Sequence, residues 1–570
     1  MKPAGIEADL HEFATDLGKV LAEMEGADFA PRLHKKDPTL WKTEPEHCKI
    51  ISNAMGWLDS PEKIKPEAAK LCEFGSELQA AGFRHVLHMG MGGSSLAPLV
   101  FSKTLGESSG GLPVTVLDST DPATVLRFAG GLPLAETFFI EASKSGTTAE
   151  SRSFGEYFFE KVQRVKASQA CANFAVITDP GSMLAGLAGE RTYRRTFLNY
   201  PDIGGRYSAL SYFGLVPAAL MQADLPEVLA RTEAMIAACR IAKPLSDNPG
   251  VCLGAAMGAL ARRGRNKLTF LIPQPLASLG MWLEQLIAES TGKDGKGIVP
   301  VAGEPAGPPE AYGNDRLFVV FVLENKPDPA IESCREALVR AGQPVITIRM
   351  SDRLDLGRQF FLWEVATATA GAVLEINPFD QPDVQETKKF TGKILEDVRQ
   401  QGRVPEAEMK LVEGPLRLYL AGGASTVRQA VSMFFEQAGA GDYFATLAYL
   451  TENEATGRGL QNVRTLVRDR LRLATTVGYG PRYLHSTGQL HKGGPNSGLF
   501  LLLTSDFGDD APIPGQPYTF GMLMRAQALG DFEALRKHRR RVLRVHVAGQ
   551  DVAKGLSLLE EIIREAVPQR

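Results

Sequence analysis

The chain has 570 residues, 44% hydrophobic and 23% charged, with a formal net charge of -3. That length exceeds one ordinary core and predicts two or three domains, and the near-neutral balance excludes an electrostatic case for nucleic acid or an acidic membrane surface. Six scattered cysteines (Cys48, Cys72, Cys171, Cys239, Cys252 and Cys334) read as free thiols in a reducing compartment, and the opening MKPAGIEADLHEF carries early acids and no apolar run, so no secretory signal is expected there.

Residues 1–80 read as polar and helical, a wrap around a domain. From residue 83 an α/β rhythm begins: apolar runs at Arg84–Met89, Val114–Leu117, Thr137–Glu141 and Phe174–Thr178 alternate with Gly- or Ser-rich turns and helix-period segments. Such alternation predicts a parallel sheet with helices on both faces, ending near residue 225. A second unit has predicted strands Leu268–Ile272, Leu317–Leu323 and Val345–Arg349, with helices at about 277–290, 329–341 and 357–374. A long amphipathic segment follows Phe379 and includes Thr387–Arg399. A third stretch, about 410–570, has predicted strands Arg417–Leu420, Tyr443–Tyr449, Leu499–Thr504 and Val542–Val547. Part of it reads as the second unit written again: YGNDRLFVVFVLEN beside GGPNSGLFLLLTSD, and LGRQFFLWEVATATAGA beside YTFGMLMRAQALGDFEA. Chance likeness of short α/β elements is the alternative. The basic run Arg536–Arg541 reads as the solvated end of a helix.

Six motifs carry chemistry. HMGMGGSSLAP, from His88, runs a strand into Gly90, Gly92, Gly93, Ser94 and Ser95 and then a helix; glycines admit a ligand to the backbone, and a helix N-terminus favours an anion. It lacks the dinucleotide and P-loop spacings, and a tight strand–helix turn is the plain alternative. EASKSGTT, from Glu141, places Ser143, Ser145, Thr147 and Thr148 with Lys144 at a strand's carboxyl end, a phosphate cup rather than a simple cap, which needs one hydroxyl. DIGGRYSA projects Arg206 beyond two glycines, a guanidinium suited to an oxyanion or, equally, to a structural ion pair. In EQLIAESTGK, Gln285 and Glu289 share a helix face, and Glu289 near the helix end could serve as a general base or simply be solvated. NPFDQPDVQETK presents Gln381 on a Pro-bounded turn and Lys388 on the following helix. YLHSTGQLHK holds His485 and His491, two of only nine histidines.

Together and in this order, GGSSLAP, SKSGTT, GGRYSAL, ESTGKDGKG and NPFDQPDVQETK resemble the signatures of phosphoglucose isomerases, over about residues 83–389. The resemblance implies an α/β fold with two sugar-isomerase (SIS) doubly wound parallel-sheet domains, at 81–240 and 241–400, after the helical wrap of 1–80. A C-terminal α/β extension, 401–570, would be a partial duplicate of the second SIS domain. It implies glucose 6-phosphate/fructose 6-phosphate isomerisation through a cis-enediol(ate), in glycolysis and gluconeogenesis, in the cytoplasm, without metal or organic cofactor. By resemblance, Gly93, Ser94, Ser143, Lys144, Ser145, Thr147 and Thr148 would bind the phosphate, with Gln285 and Gln381 close by. Arg206 would stabilise the enediolate, Glu289 would move the proton between C2 and C1, and Lys388 would act at the sugar oxygens. The whole chain is most similar to the isomerase half of fused transaldolase/phosphoglucose isomerases, so a separate transaldolase is one expected partner; about 80 residues before the first domain could not hold a transaldolase barrel.

One position departs from the family pattern. Short bacterial members carry a histidine about twenty residues after the catalytic glutamate, in an LHSxGQ motif. Here that region reads VAGEPAGPPEAYGND, and LHSTGQ stands far downstream, at His485. The expectation is that His485, with His491 second, supplies ring opening from the C-terminal unit. In dimeric members this histidine comes from the neighbouring subunit, so the extension could stand in for a partner within one chain; homodimer and monomer both stay open. A dual phosphoglucose/phosphomannose isomerase and a non-catalytic sugar-phosphate sensor are the alternatives.

Overall fold

A computed structural model describes residues 5–106, 110–405, 409–419 and 423–567. The chain opens with a short strand, β1 (Ile6–Asp9), and a series of helices that ends at Ala80. Five parallel strands follow: β2 (His85–Met89), β3 (Val114–Leu117), β4 (Thr137–Ala142), β5 (Phe174–Thr178) and β6 (Arg195–Leu198), in the order β3-β2-β4-β5-β6. Helix α1 (Leu96–Leu105) leaves β2 and α2 (Ala149–Lys166) leaves β4. β4 reads TFFIEA and is buried at every position, as expected of a parallel strand covered on both faces. The order reverses between β2 and β4, so a crevice opens at their carboxyl ends.

The second sheet takes α3 (Pro249–Arg262), β7 (Lys267–Leu271), α4 (Leu279–Thr291), β8 (Val299–Val301), β9 (Arg316–Leu323), α5 (Pro329–Arg340), β10 (Val345–Met350) and α6 (Leu356–Val373). Its order is β1-β10-β9-β7-β8, with β1 antiparallel on β10. The segment 1–80 is therefore not a purely helical wrap. Ile6 is buried, and β1 covers the edge that β10 would otherwise expose.

Helix α7 (Val384–Gln401) leads to the third sheet, built from β11 (Leu411–Glu413), β12 (Leu416–Leu418), α8 (Val427–Glu436), β13 (Tyr443–Tyr449), α9 (Glu454–Leu471), β14 (Ala474–Tyr479), β15 (Gly498–Ser505), α10 (Phe520–Lys537), β16 (Arg541–Val547) and α11 (Val552–Ala566). The order is β11-β12-β16-β15-β13-β14. The expected strand Arg417–Leu420 is Leu416–Leu418, and Leu420 lies outside the described residues. Strands β6, β8, β11 and β14, besides β1, escape the sequence reading. β6 has the exposure pattern of an edge, with Phe197 alone buried, and β8 is three residues long. Helix α9 starts on a capping box, Asn453 accepting from the Thr456 amide and Thr456 from the Asn453 amide.

One core joins the first two sheets, running from Trp57 and Phe101 to Phe360 and Trp363. A smaller cluster, Ala288, Val299 and Val301 with Tyr443, Leu484 and Leu490, joins the second sheet to the third. Among the described residues, no helix is long and apolar enough to cross a membrane.

Candidate active site

A cavity of about 900 Å³ opens where the three sheets meet. Its walls come from the turns after β2 and β4, from the Gly205–Arg206 turn, from α4 and α7, and from the His485 loop. Glycine makes this convergence possible. A Cβ on Gly93 would sit 2.0 Å from the carbonyl oxygen of Gly205, and Gly92, at φ +54°, would press one onto the His485 carbonyl.

The hydroxyl cup sits between β4 and α2. Ser145 and Thr147 share a hydrogen bond of 2.9 Å, and both line the cavity with Lys144 and Thr148. Lys144 Nζ donates to Asp179 at 2.5 Å and to the Pro201 carbonyl at 2.8 Å. Ser143 is buried beneath the same turn. It does not line the cavity: its Oγ lies behind the turn, 3.0 Å from Thr148 Oγ1, and accepts from the Gly146 amide at 3.1 Å. It shapes the cup from beneath. Opposite, Gly93 and Ser94 face the same space, and His88 fixes their turn through a 2.6 Å contact of Nε2 with the Ser94 carbonyl. Burial pushes the His88 imidazole down to about 4, so this histidine is a neutral structural group.

Glu289 stands near the end of α4, its residue 9% exposed. Its Oε1 lies 3.3 Å from Arg206 Nη1, and its Oε2 accepts from Gln285 Nε2 at 3.1 Å. Arg206 is buried and heavily engaged. Nε donates to Ser290 at 2.7 Å, Nη1 to Gln381 Oε1 at 3.0 Å, and Nη2 to the Pro378 and Asp380 carbonyls at 2.7 and 2.9 Å. The guanidinium thus ties the NPFDQP turn to the carboxylate. Beneath that turn Lys293 Nζ meets Asp380 Oδ1 at 2.8 Å and the Asn377 carbonyl at 2.5 Å. Burial, helped by Arg206, pulls the Lys293 amine down to about 7 against the attraction of Asp380.

His485 enters from the third unit. Its carbonyl accepts from Gln285 Nε2 at 2.8 Å, and its ring Nε2 lies 2.9 Å from Glu150 Oε1. Gln527, on α10, donates to the same oxygen at 2.6 Å and accepts from Thr120 at 2.9 Å. Burial works to raise the Glu150 carboxyl, but His485 and Lys388 outweigh it and hold Glu150 below the usual carboxylate range. Lys388 is exposed on α7 at the cavity wall, as is Gln381 on its turn. His491 lies elsewhere, buried against Phe500 at 5.0 Å between ring centroids and forced toward the neutral form by burial.

Sequence reasoning missed Glu150 and Gln527. An acid in the first turn of a helix reads as a dipole-complementing residue, and nothing in the pattern of α10 marks one glutamine. Among the described residues, no three His, Cys, Asp or Glu side chains gather as a metal site would require.

A family model described as phosphoglucose isomerase matches residues 71–299. A glucose-6-phosphate isomerase of Rubrobacter xylanophilus is 29% identical over 432 residues, covering 65% of this chain and 95% of that one. One from a Synechococcus species is 28% identical, covering 70% of this chain and 82% of its own. Among solved structures, a hypothetical protein of Thermus thermophilus superposes with a TM-score of 0.57 at 23% identity, over 70% of this chain and all of that one. A glucose-6-phosphate isomerase of Chlamydia trachomatis superposes with a TM-score of 0.51 at 20% identity, over 65% of this chain and 78% of the other.

Proposed function

We propose that this chain, which belongs to the phosphoglucose isomerase family, interconverts glucose 6-phosphate and fructose 6-phosphate through a cis-enediol(ate). One observation carries the reading. A buried carboxylate, Glu289, lies 3.3 Å from a fixed guanidinium, in the same cavity as a hydroxyl cup and a histidine–carboxylate pair.

The phosphate end of the substrate rests on Ser145, Thr147, Thr148 and Lys144, with Gly93 and Ser94 closing the other side and the dipole of α2 adding a favourable field. Holding that end positions C1 and C2 at the far wall. Ring opening needs a proton delivered to the ring oxygen as one leaves the C1 hydroxyl. His485, oriented by ionised Glu150 and its Gln527 support, delivers the first, and Lys388 serves the hydroxyl side. Glu289 then takes the proton from C2 and returns it to C1, while the proton of the O2 hydroxyl passes to O1, so that the carbonyl moves from C1 to C2. Arg206 offsets the charge that develops on the enediolate oxygens, and Gln285 keeps the Glu289 carboxylate aimed between the two carbons. The Glu289–Arg206 contact suits a base that must start ionised.

The test is a coupled assay on fructose 6-phosphate with the wild type and Glu289→Gln. Loss of about 10²–10⁴ in kcat, with fructose 6-phosphate still bound, is expected for removal of the base. Turnover within about tenfold of wild type in Glu289→Gln would remove the assignment.

A further inference from the structure

The second and third sheets follow one plan. The series α3-β7-α4-β8-β9-α5-β10-α6 runs in the same order as α8-β13-α9-β14-β15-α10-β16-α11. The strand orders β10-β9-β7-β8 and β16-β15-β13-β14 coincide, all pairs are parallel, and each sheet carries an antiparallel strand, β1 or β12, beyond its fourth member. The registers coincide as well. Lys267 pairs with both Val299 and Arg316, the first residues of β8 and β9; Tyr443 pairs with both Ala474 and Gly498, the first residues of β14 and β15. Phe318 pairs with Val345 where Phe500 pairs with Val542. This corrects one of the two sequence parallels. GLFLLLTS does match RLFVVFVL, but the helix at Phe520 follows the third strand of its series and the helix at Leu356 the fourth, so they are not counterparts.

The two series also meet through equivalent surfaces. Strands β8 and β14, each the outer strand of its sheet, lie against one another. On one side Gln285 of α4 donates to the backbone carbonyl of His485, in the loop before β15. On the other, Arg464 of α9 donates to the backbone carbonyl of Ala302, in the loop before β9, at 3.2 Å. Arg464 stands as far ahead of β14 as Glu289 does of β8, and Ala302–Glu304 stand as far ahead of β9 as Leu484–Ser486 do of β15. The same kind of helix thus meets the same kind of loop in both directions, the element arrangement of an isologous, two-fold interface, although the donor and acceptor stand at different register positions on the two sides.

The two equivalent places have opposite contents. Where α4 meets the β15 loop there is the cavity with Glu289 and His485. Where α9 meets the β9 loop there is a sealed ion cluster. Glu304 accepts from Arg316 Nη1 at 3.0 Å and from the amide and hydroxyl of Thr475 at 2.9 and 2.6 Å, and Arg464 donates to the Thr475 carbonyl. Arg316 and Arg464 are buried almost completely.

We infer that the third unit is a second copy of the second one, packed on it about a pseudo-two-fold axis within one chain, so that each chain holds one complete isomerase site, with Glu289 and His485 from its own two copies, and one counterpart closed as an ion cluster. The chemistry of the complete site rests on the isomerase reading above; the duplication and the closed counterpart rest on topology and contacts alone.

Two measurements test it. Glu289→Gln and His485→Ala chains are unfolded together, refolded and assayed on fructose 6-phosphate. Activity no greater than that of the separate variants is expected; recovery to about a quarter of wild type, the statistical yield of a site shared across two chains, overturns the inference. The equilibrium mixture of the two sugar phosphates is then titrated into wild type by calorimetry. One equivalent per chain is expected, and two equivalents overturn the closed counterpart. One equivalent bound without turnover in wild type would instead discard the isomerase reading and leave the single-site chain standing.

Discussion

Replacing Glu304 by glutamine probes the ion cluster without touching the cavity. The carboxylate lies with Arg316 Nη1 and Nη2 at 3.0 and 3.4 Å and accepts two hydrogen bonds from Thr475. The amide keeps one acceptor but loses the charge, and its NH2 group must face a donor. The buried Arg316 guanidinium then loses its carboxylate partner, and Arg464 loses the more strongly attracting of the two acids that act on it, Glu284 being the other, a change that typically costs about 3–5 kcal/mol. Spread over the unfolding entropy of a chain this long, that lowers Tm by about 3–4 °C if the chain unfolds as one unit. Differential scanning calorimetry reads the shift, and kcat/KM at 25 °C should stay within about threefold of wild type, because none of these groups lines the cavity. The pH dependence has a definite sign. Burial works against ionised Glu304, but Arg316 and Arg464 outweigh it and hold its carboxyl below the usual range. Its contribution is therefore present above the ordinary carboxylate value and is lost as pH falls through the lower folded value. The acid limb of the Tm–pH curve should be flatter in the variant. A Tm within 1 °C of wild type would refute this reasoning, as would a catalytic loss exceeding the loss of folded protein.

Three further outcomes follow from the site. Glu150→Gln removes a charged acceptor from His485, an interaction of about 1.5–3 kcal/mol, so turnover of ring-closed substrate should fall about 10- to 100-fold; equal rates in stopped-flow assays would detach Glu150 from ring opening. His485→Ala should cut turnover while leaving Tm nearly unchanged, whereas His491→Ala should leave turnover and lower Tm, since its ring packs against Tyr443, Tyr483 and Phe500; the reverse pattern would exchange their roles. Lys293→Met should lower kcat/KM about tenfold by loosening the turn whose carbonyls hold Arg206. With the folded amine pulled down to about 7, the unfolded chain binds more protons between there and the ordinary lysine value. Wild-type stability gains from this group as pH rises through that window, and a Tm–pH curve unchanged in shape by the substitution would show that Lys293 is not so perturbed.

The α/β class, the parallel strands and the hydroxyl-rich turn after β4 were all legible in the chain itself, because each is written in local pattern. Buried runs such as TFFIEA and RLFVVFVL read as two-sided strands, and the hydroxyls of SKSGTT stand where a strand hands over to a helix. The single carboxylate Glu289 was legible only through its motif, since a lone acid at a helix end has no local mark. Tertiary structure decided the rest. The pairing of His485 with Glu150 joins residues from different units, as does the support of Gln527, and no local periodicity encodes contacts across such distances. Ser143 and Thr147 share one motif, yet one hydroxyl turns behind the loop and the other into the cavity, a choice made by the fold of the turn around Gly146. The edge strands β1 and β8 are too short for their pattern to outweigh chance, and exist because β10 and β7 of the same sheet offer them hydrogen-bond partners. The counterpart of the active site, closed by Arg464 and Glu304, is invisible in sequence because equivalence there is a matter of sheet order and register, which only the assembled chain defines.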